Sequence, residues 1–113
     1  MSHNYLKNVI KRIVLDDTYE IIDFQIVNFT WQSEEIIIFT RSFFQLLTNL
    51  HLIETIDGAD RHSLRFSYQN NEFILNIECI CESIWIDAYA TSHKDIFSIL
   101  FQEIKSQLLQ DLP

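Results

Sequence analysis

The sequence predicts a single α+β domain over residues 1–113: an antiparallel sheet of about five strands, in the order β-β-α-β-β-β-α, with two helices packed on one face. Three observations carry this. Apolar and polar residues alternate through most of Arg61 to Tyr89, the period of half-buried strands. Two segments, starting at Ser33 and Ser92, repeat apolar residues at three- and four-residue spacing. One Gly and one Pro in 113 residues leave nearly every interior position able to join a helix or a ladder, so loops should be short.

Val9 to Leu15 is β-branched and aliphatic, and Asp16-Asp17-Thr18 interrupts it with turn-forming side chains before a second run from Tyr19 to Trp31, which reads as a hairpin. In the second run Ile22, Phe24 and Ile26 share one face while Tyr19, Ile21, Val27, Phe29 and Trp31 share the other, the pattern of a central or partner-covered strand. Ser33 ahead of Glu34 and Glu35 is a helix start, since a side-chain oxygen can accept an orphan N–H and the carboxylates favour the positive end of the dipole. That helix runs to about Leu50, and Phe39, Phe43, Leu46, Leu47 and Leu50 form its stripe. Ser92, with Asp95 three residues on, starts a second helix to roughly Leu109.

Between the helices, Arg61–Tyr68, Glu72–Ile80 and Ser83–Tyr89 read as a three-stranded meander. A two-residue turn at Asn70-Asn71 would pair Tyr68 with Phe73, Phe66 with Leu75 and Leu64 with Ile77. Leu64, Phe66, Tyr68, Phe73, Leu75, Ile77 and Cys79 then face the helices, extended by Ile84, Ile86 and Ala88.

Hydrophobic residues are 48% of the chain, enough for one core without staples or metals. Eight Lys and Arg against sixteen Asp and Glu give −8, which repels phosphate backbones and anionic lipid, so no nucleic-acid partner is expected. No secretory leader is visible at the N-terminus, and the run Ile36 to Phe39 is too short to span a bilayer, so the protein is expected in the cytoplasm, with no membrane association. Cys79 and Cys81 read as reduced thiols, one filling core and one partly exposed.

The opposite parity of the meander collects Arg61, Arg65, Asn76, Glu78, Trp85, Asp87 and Tyr89 on the outward face. Aromatic side chains flanked by Arg and carboxylates have the composition of an interaction hot spot, although cross-strand pairing on a solvated face explains the same residues. Gly58, Asp60 and His62 mark a structural turn. His62 falls on the apolar side while Arg61 points away, which favours a capping or satisfied histidine over a catalyst. His3, His51 and His93 are scattered without metal-ligand spacing, and the lone Gly58 makes no phosphate loop, so no catalytic residue, metal or cofactor is expected.

Gly58-Ala59-Asp60-Arg61-His62, then Asn76-Ile77-Glu78 and Glu82-Ser83-Ile84-Trp85-Ile86-Asp87-Ala88, resemble a small family of uncharacterised gammaproteobacterial proteins, a domain of unknown function. The match spans about a third of the chain, from Gly58 to Ala88. The resemblance implies an intracellular bacterial protein of one domain, with that turn and the Ser-Ile-Trp strand as its marks, and it brings no activity. The leading expectation is a non-enzymatic interaction or regulatory module that meets a protein partner through the outward face or an uncovered edge strand. The alternative is a small enzyme using Asp60, His62 and Glu78 beside the Gly58 turn. Open sheet edges also allow a homodimer.

Overall fold

The computed structural model describes residues 2–16, 18, 20–89 and 94–109. Its elements are α1 (Ser2–Val9), β1 (Ile10–Asp16), β2 (Ile21–Ile26), α2 (Ser33–Leu46), β3 (His51–Asp57), β4 (Arg61–Tyr68), β5 (Asn71–Glu78), β6 (Ser83–Ala88) and α3 (Lys94–Leu109). The α+β class and the antiparallel sheet stand as expected. Among the described residues, however, there are six strands rather than about five, and three helices rather than two.

The additions have local causes. Residues 2–9 form a helix because Leu6 and Val9 are buried in the core, and the Tyr5 hydroxyl donates to Glu35 Oε2 at 2.9 Å. Val9 therefore ends α1 instead of opening β1. The other addition is β3, where a bulge between Leu52 and Glu54 inserts Ile53 and breaks the two-residue period that would reveal a strand.

The sheet order is β1-β2-β6-β5-β4-β3, with every pair antiparallel, so β1 and β3 are its edges. Leu64, Phe66, Tyr68, Phe73, Leu75, Ile77, Ile84 and Ile86 are all buried on one side, as the alternation predicts; Cys79 and Ala88 are half-buried at its margin. The register differs by two residues. Phe66 pairs with Phe73 and Leu64 with Leu75, because the turn is made by Gln69 and Asn70 at φ 50° and 62°. Two positive φ values are what a two-residue hairpin with native twist requires, and a slip of two preserves the face.

Helices α2 and α3 pack on this side. Phe24 of β2 meets Phe39 and Phe43 of α2 edge-on at 6.5 and 6.3 Å, Phe43 meets Phe66 at 5.7 Å, and Phe97 of α3 meets Phe73 at 5.4 Å. Each fully buried aromatic of this kind contributes roughly 1.5–3 kcal/mol relative to exposure. Strand β2 ends at Ile26, well short of Trp31. Beyond it Asn28 and Trp31 adopt φ of 55° and 63°, and Phe29 turns in to meet Phe39 edge-on at 5.8 Å. Ser33 is the first residue of α2, not a cap. Glu35 reaches back instead, accepting from the Thr30 N–H at 2.8 Å. The expected cap Ser92 and the strand residue Tyr19 lie outside the described residues.

Candidate functional site

The outward face is ordered by its register. Asp23, Trp85, Asn76 and Ser63 are successive neighbours across β2, β6, β5 and β4, and Asp87, Ile74, Arg65 and Glu54 form the adjacent row. At the centre Asn76 is only 1% exposed. Its Oδ1 accepts from Arg61 Nη2 at 2.9 Å and from Ser63 Oγ at 3.0 Å, while its Nδ2 donates to Asp87 Oδ2 at 3.1 Å and to the Ile74 carbonyl at 3.4 Å. The amide thus uses all of its hydrogen-bonding capacity. Trp85 donates its indole N–H to the same Asp87 Oδ2 at 2.8 Å, and the Arg61 guanidinium lies 5.1 Å from the Trp85 ring centroid.

A second cluster is built the same way. Arg65 donates to Glu54 Oε1 at 3.1 Å and to Glu72, and its guanidinium lies 4.7 Å from the Tyr89 ring centroid. The Glu72 hydrogen bond, above all, holds the Arg65 pKa above its ordinary value. Partial burial beside Trp85 raises the Asp23 carboxyl. Of the expected surface residues, Arg61, Trp85 and Asp87 meet through Asn76, Arg65 and Tyr89 form their own pair, and Glu78 stands opposite Arg61 at the sheet's end. Sequence reasoning placed Asn76 on this face without seeing it as the hub. The signal was an amide set inside the apolar run from Phe73 to Ile77.

The turn residues act through the backbone. Gly58 donates to the Arg61 carbonyl at 2.7 Å, and a Cβ at Gly58 would lie 3.2 Å from that oxygen, so close approach rather than a left-handed φ calls for glycine. The Asp60 carbonyl accepts from the Cys79 N–H at 2.8 Å. His62 is half-buried and its Nδ1 lies 3.0 Å from Asp57 Oδ1, directly across the β3–β4 pair. Both border a cleft of about 370 Å³ between α2 and β3, with Ile36, Ile37, Leu52 and Leu64 as its apolar walls. Asp57, not Asp60, is therefore the carboxylate that orients His62.

The edge strand is the residue set that sequence reasoning missed. Every residue of β3 is exposed, and Leu52, Ile53 and Ile56 retain 50%, 45% and 47% of their surface. Burial raises the pKa of the Cys79 thiol. That of Cys81 rises mainly through its hydrogen bond to Glu78, and both cysteines are free. Among the described residues no three His, Cys, Asp or Glu side chains gather where a metal ion could be held, and no helix is long and apolar enough to cross a membrane.

A family model described as a protein of unknown function, DUF3630, matches residues 10–105. The chain belongs to the DUF3630 family. The matched region of this DUF3630 protein runs from the start of β1 into α3, so it takes in all six described strands, the outward network and the β3 edge. Comparison with curated proteins and with solved structures found no match to the chain.

Proposed function

We propose that this protein is a non-enzymatic, regulatory interaction module that takes an extended apolar segment of a partner protein alongside β3. One observation carries the reading: an edge strand in which Leu52, Ile53 and Ile56 stay about half exposed. An edge offers unpaired N–H and C=O groups, and proteins that must stay apart blunt such edges with Lys, Pro or inward charge. Strand β3 has neither Lys nor Pro, and its carboxylates Glu54 and Asp57 are engaged with Arg65 and His62. Strand addition would supply the main-chain hydrogen bonds, and the cleft under Leu52 would receive an apolar side chain.

The outward face is the weaker docking surface, because Arg61, Arg65 and Trp85 already direct donors to Asn76, Glu54, Glu72 and Asp87 within the fold. A second copy of the chain is one partner that could present such a segment. Charge of −8 argues against nucleic acid, and two free thiols suit a cytoplasmic setting. A photo-crosslinker at position 53 should give a discrete adduct, with a second copy or with a host protein, that the same group at Tyr89 does not give. Equal labelling from both positions counts against β3.

The enzyme reading keeps a single supporting observation, the Asp57–His62 pair at the rim of the cleft. Glu78 is on the outward face opposite Arg61, and the contact of Asp60 there is its backbone carbonyl. A His62→Ala protein that still forms the position-53 adduct would leave the interaction reading in place.

A further inference from the structure

The chain has eight Lys and Arg against sixteen Asp and Glu, yet four of those eight, Lys7, Lys11, Arg12 and Lys105, border one cavity of about 650 Å³ that, among the described residues, no carboxylate lines. The cavity lies between the edge strand β1 and helix α3. In a regular strand Lys11 and Arg12 would point to opposite faces. The bulge between Ile10 and Arg12 inserts Lys11, and both border the cavity. Apolar groups complete the lining: Phe101 is 8% exposed, and Leu15 and Leu108 are half-buried. Lys105 Nζ lies 5.8 Å from the Phe101 ring centroid, which keeps a positive charge directly over the apolar part.

We propose that this cavity binds a single-chain amphiphilic carboxylate of the fatty-acid class, its head held among Lys11, Arg12 and Lys105 and its chain laid against Phe101, Leu15 and Leu108. Charge complementarity selects the occupant. In a chain of net −8 this is a local cationic site, which attracts an anion that the rest of the surface repels. The apolar walls select against inorganic anions, and the volume suits one small ligand with a few polar contacts fixing its orientation. The proposal is independent of the β3 reading, since the cavity and the β3 edge share no residue.

The test is titration of the whole protein with decanoate and, as an uncharged match, decanol, by calorimetry and by amide chemical shifts. Saturable one-to-one decanoate binding is expected, about tenfold or more tighter than decanol, with shifts confined to β1 and α3. Arg12→Glu with Lys105→Glu, both exposed side chains, should weaken decanoate about tenfold, leave decanol nearly unchanged and keep the thermal midpoint; Lys105→Gln should show the same trend more weakly. The Ile53→Lys protein should bind decanoate as the wild type does. Absence of saturable decanoate binding, equal affinity for decanol, no response to charge reversal, or shifts at α2 and β3 would each overturn the assignment. So would an acidic peptide that displaces decanoate at about tenfold lower concentration.

Discussion

Asn76 shows how a polar side chain can behave as core. Its amide holds Arg61, Ser63 and Asp87 together under Trp85, so Asn76→Ala should strand several donors and acceptors at once and cost about 1–3 kcal/mol in urea unfolding. A change within a few tenths of a kcal/mol would mean the face is held otherwise. Glu35 supplies a pH-dependent contact. Burial pushes its carboxyl up, but the Thr30 N–H and the Tyr5 hydroxyl outweigh that and hold it below the usual carboxylate range. A depressed carboxyl stabilises the fold above its unfolded pKa, and that contribution is lost as pH falls through the folded value. Glu35→Gln should therefore melt below the wild type at neutral pH, with the gap closing under acid; a gap constant across pH contradicts this. At this scale the inward and outward assignments of Trp85, Arg61 and Arg65 were legible from parity alone. The role of Asn76 was not, because an outward amide normally meets water, and only the neighbours that cover it, on other strands, decide otherwise.

The elements were legible wherever one period held. Strands β4, β5 and β6 keep one two-residue period on their inward side and were found to within about two residues at their ends, whereas β3 was hidden by the inserted Ile53 and by exposure on both faces. Helix α1 is eight residues long, too short for periodicity to declare itself, and its helical state depends on burying Leu6 and Val9 against the rest of the fold. The β4–β5 turn was placed one residue late because Asn70-Asn71 looks better suited to positive φ than Gln69-Asn70 does. The same preference makes a prediction. Gln69→Asn should stabilise the protein by about 0.5–1 kcal/mol, read as a higher urea midpoint at unchanged slope, since Asn tolerates the left-handed region that Gln occupies at a cost. A lower midpoint would mean that the Gln69 hydrogen bond to the Tyr68 hydroxyl, at 3.4 Å, matters more than the turn.

For the whole molecule, the informative asymmetry is between the two edges of one sheet. Strand β1 carries Lys11 and Arg12, the charged kind of edge that resists pairing, while β3 carries Leu52, Ile53 and Ile56. The sheet thus has two unlike exposed features: a face whose aromatic and Arg residues contact one another, and an edge whose apolar residues stay about half exposed. The direct measurement is a comparison of two double variants, Ile53→Lys with Ile56→Lys on the edge and Arg65→Ala with Trp85→Ala on the face, each followed by thermal midpoint and by association with a second copy or host partner. The edge pair should lose association and keep its midpoint, while the face pair should still associate and melt roughly 5 °C or more lower. An edge pair that still associates, or a face pair that loses its partner with an unmoved midpoint, would contradict the account.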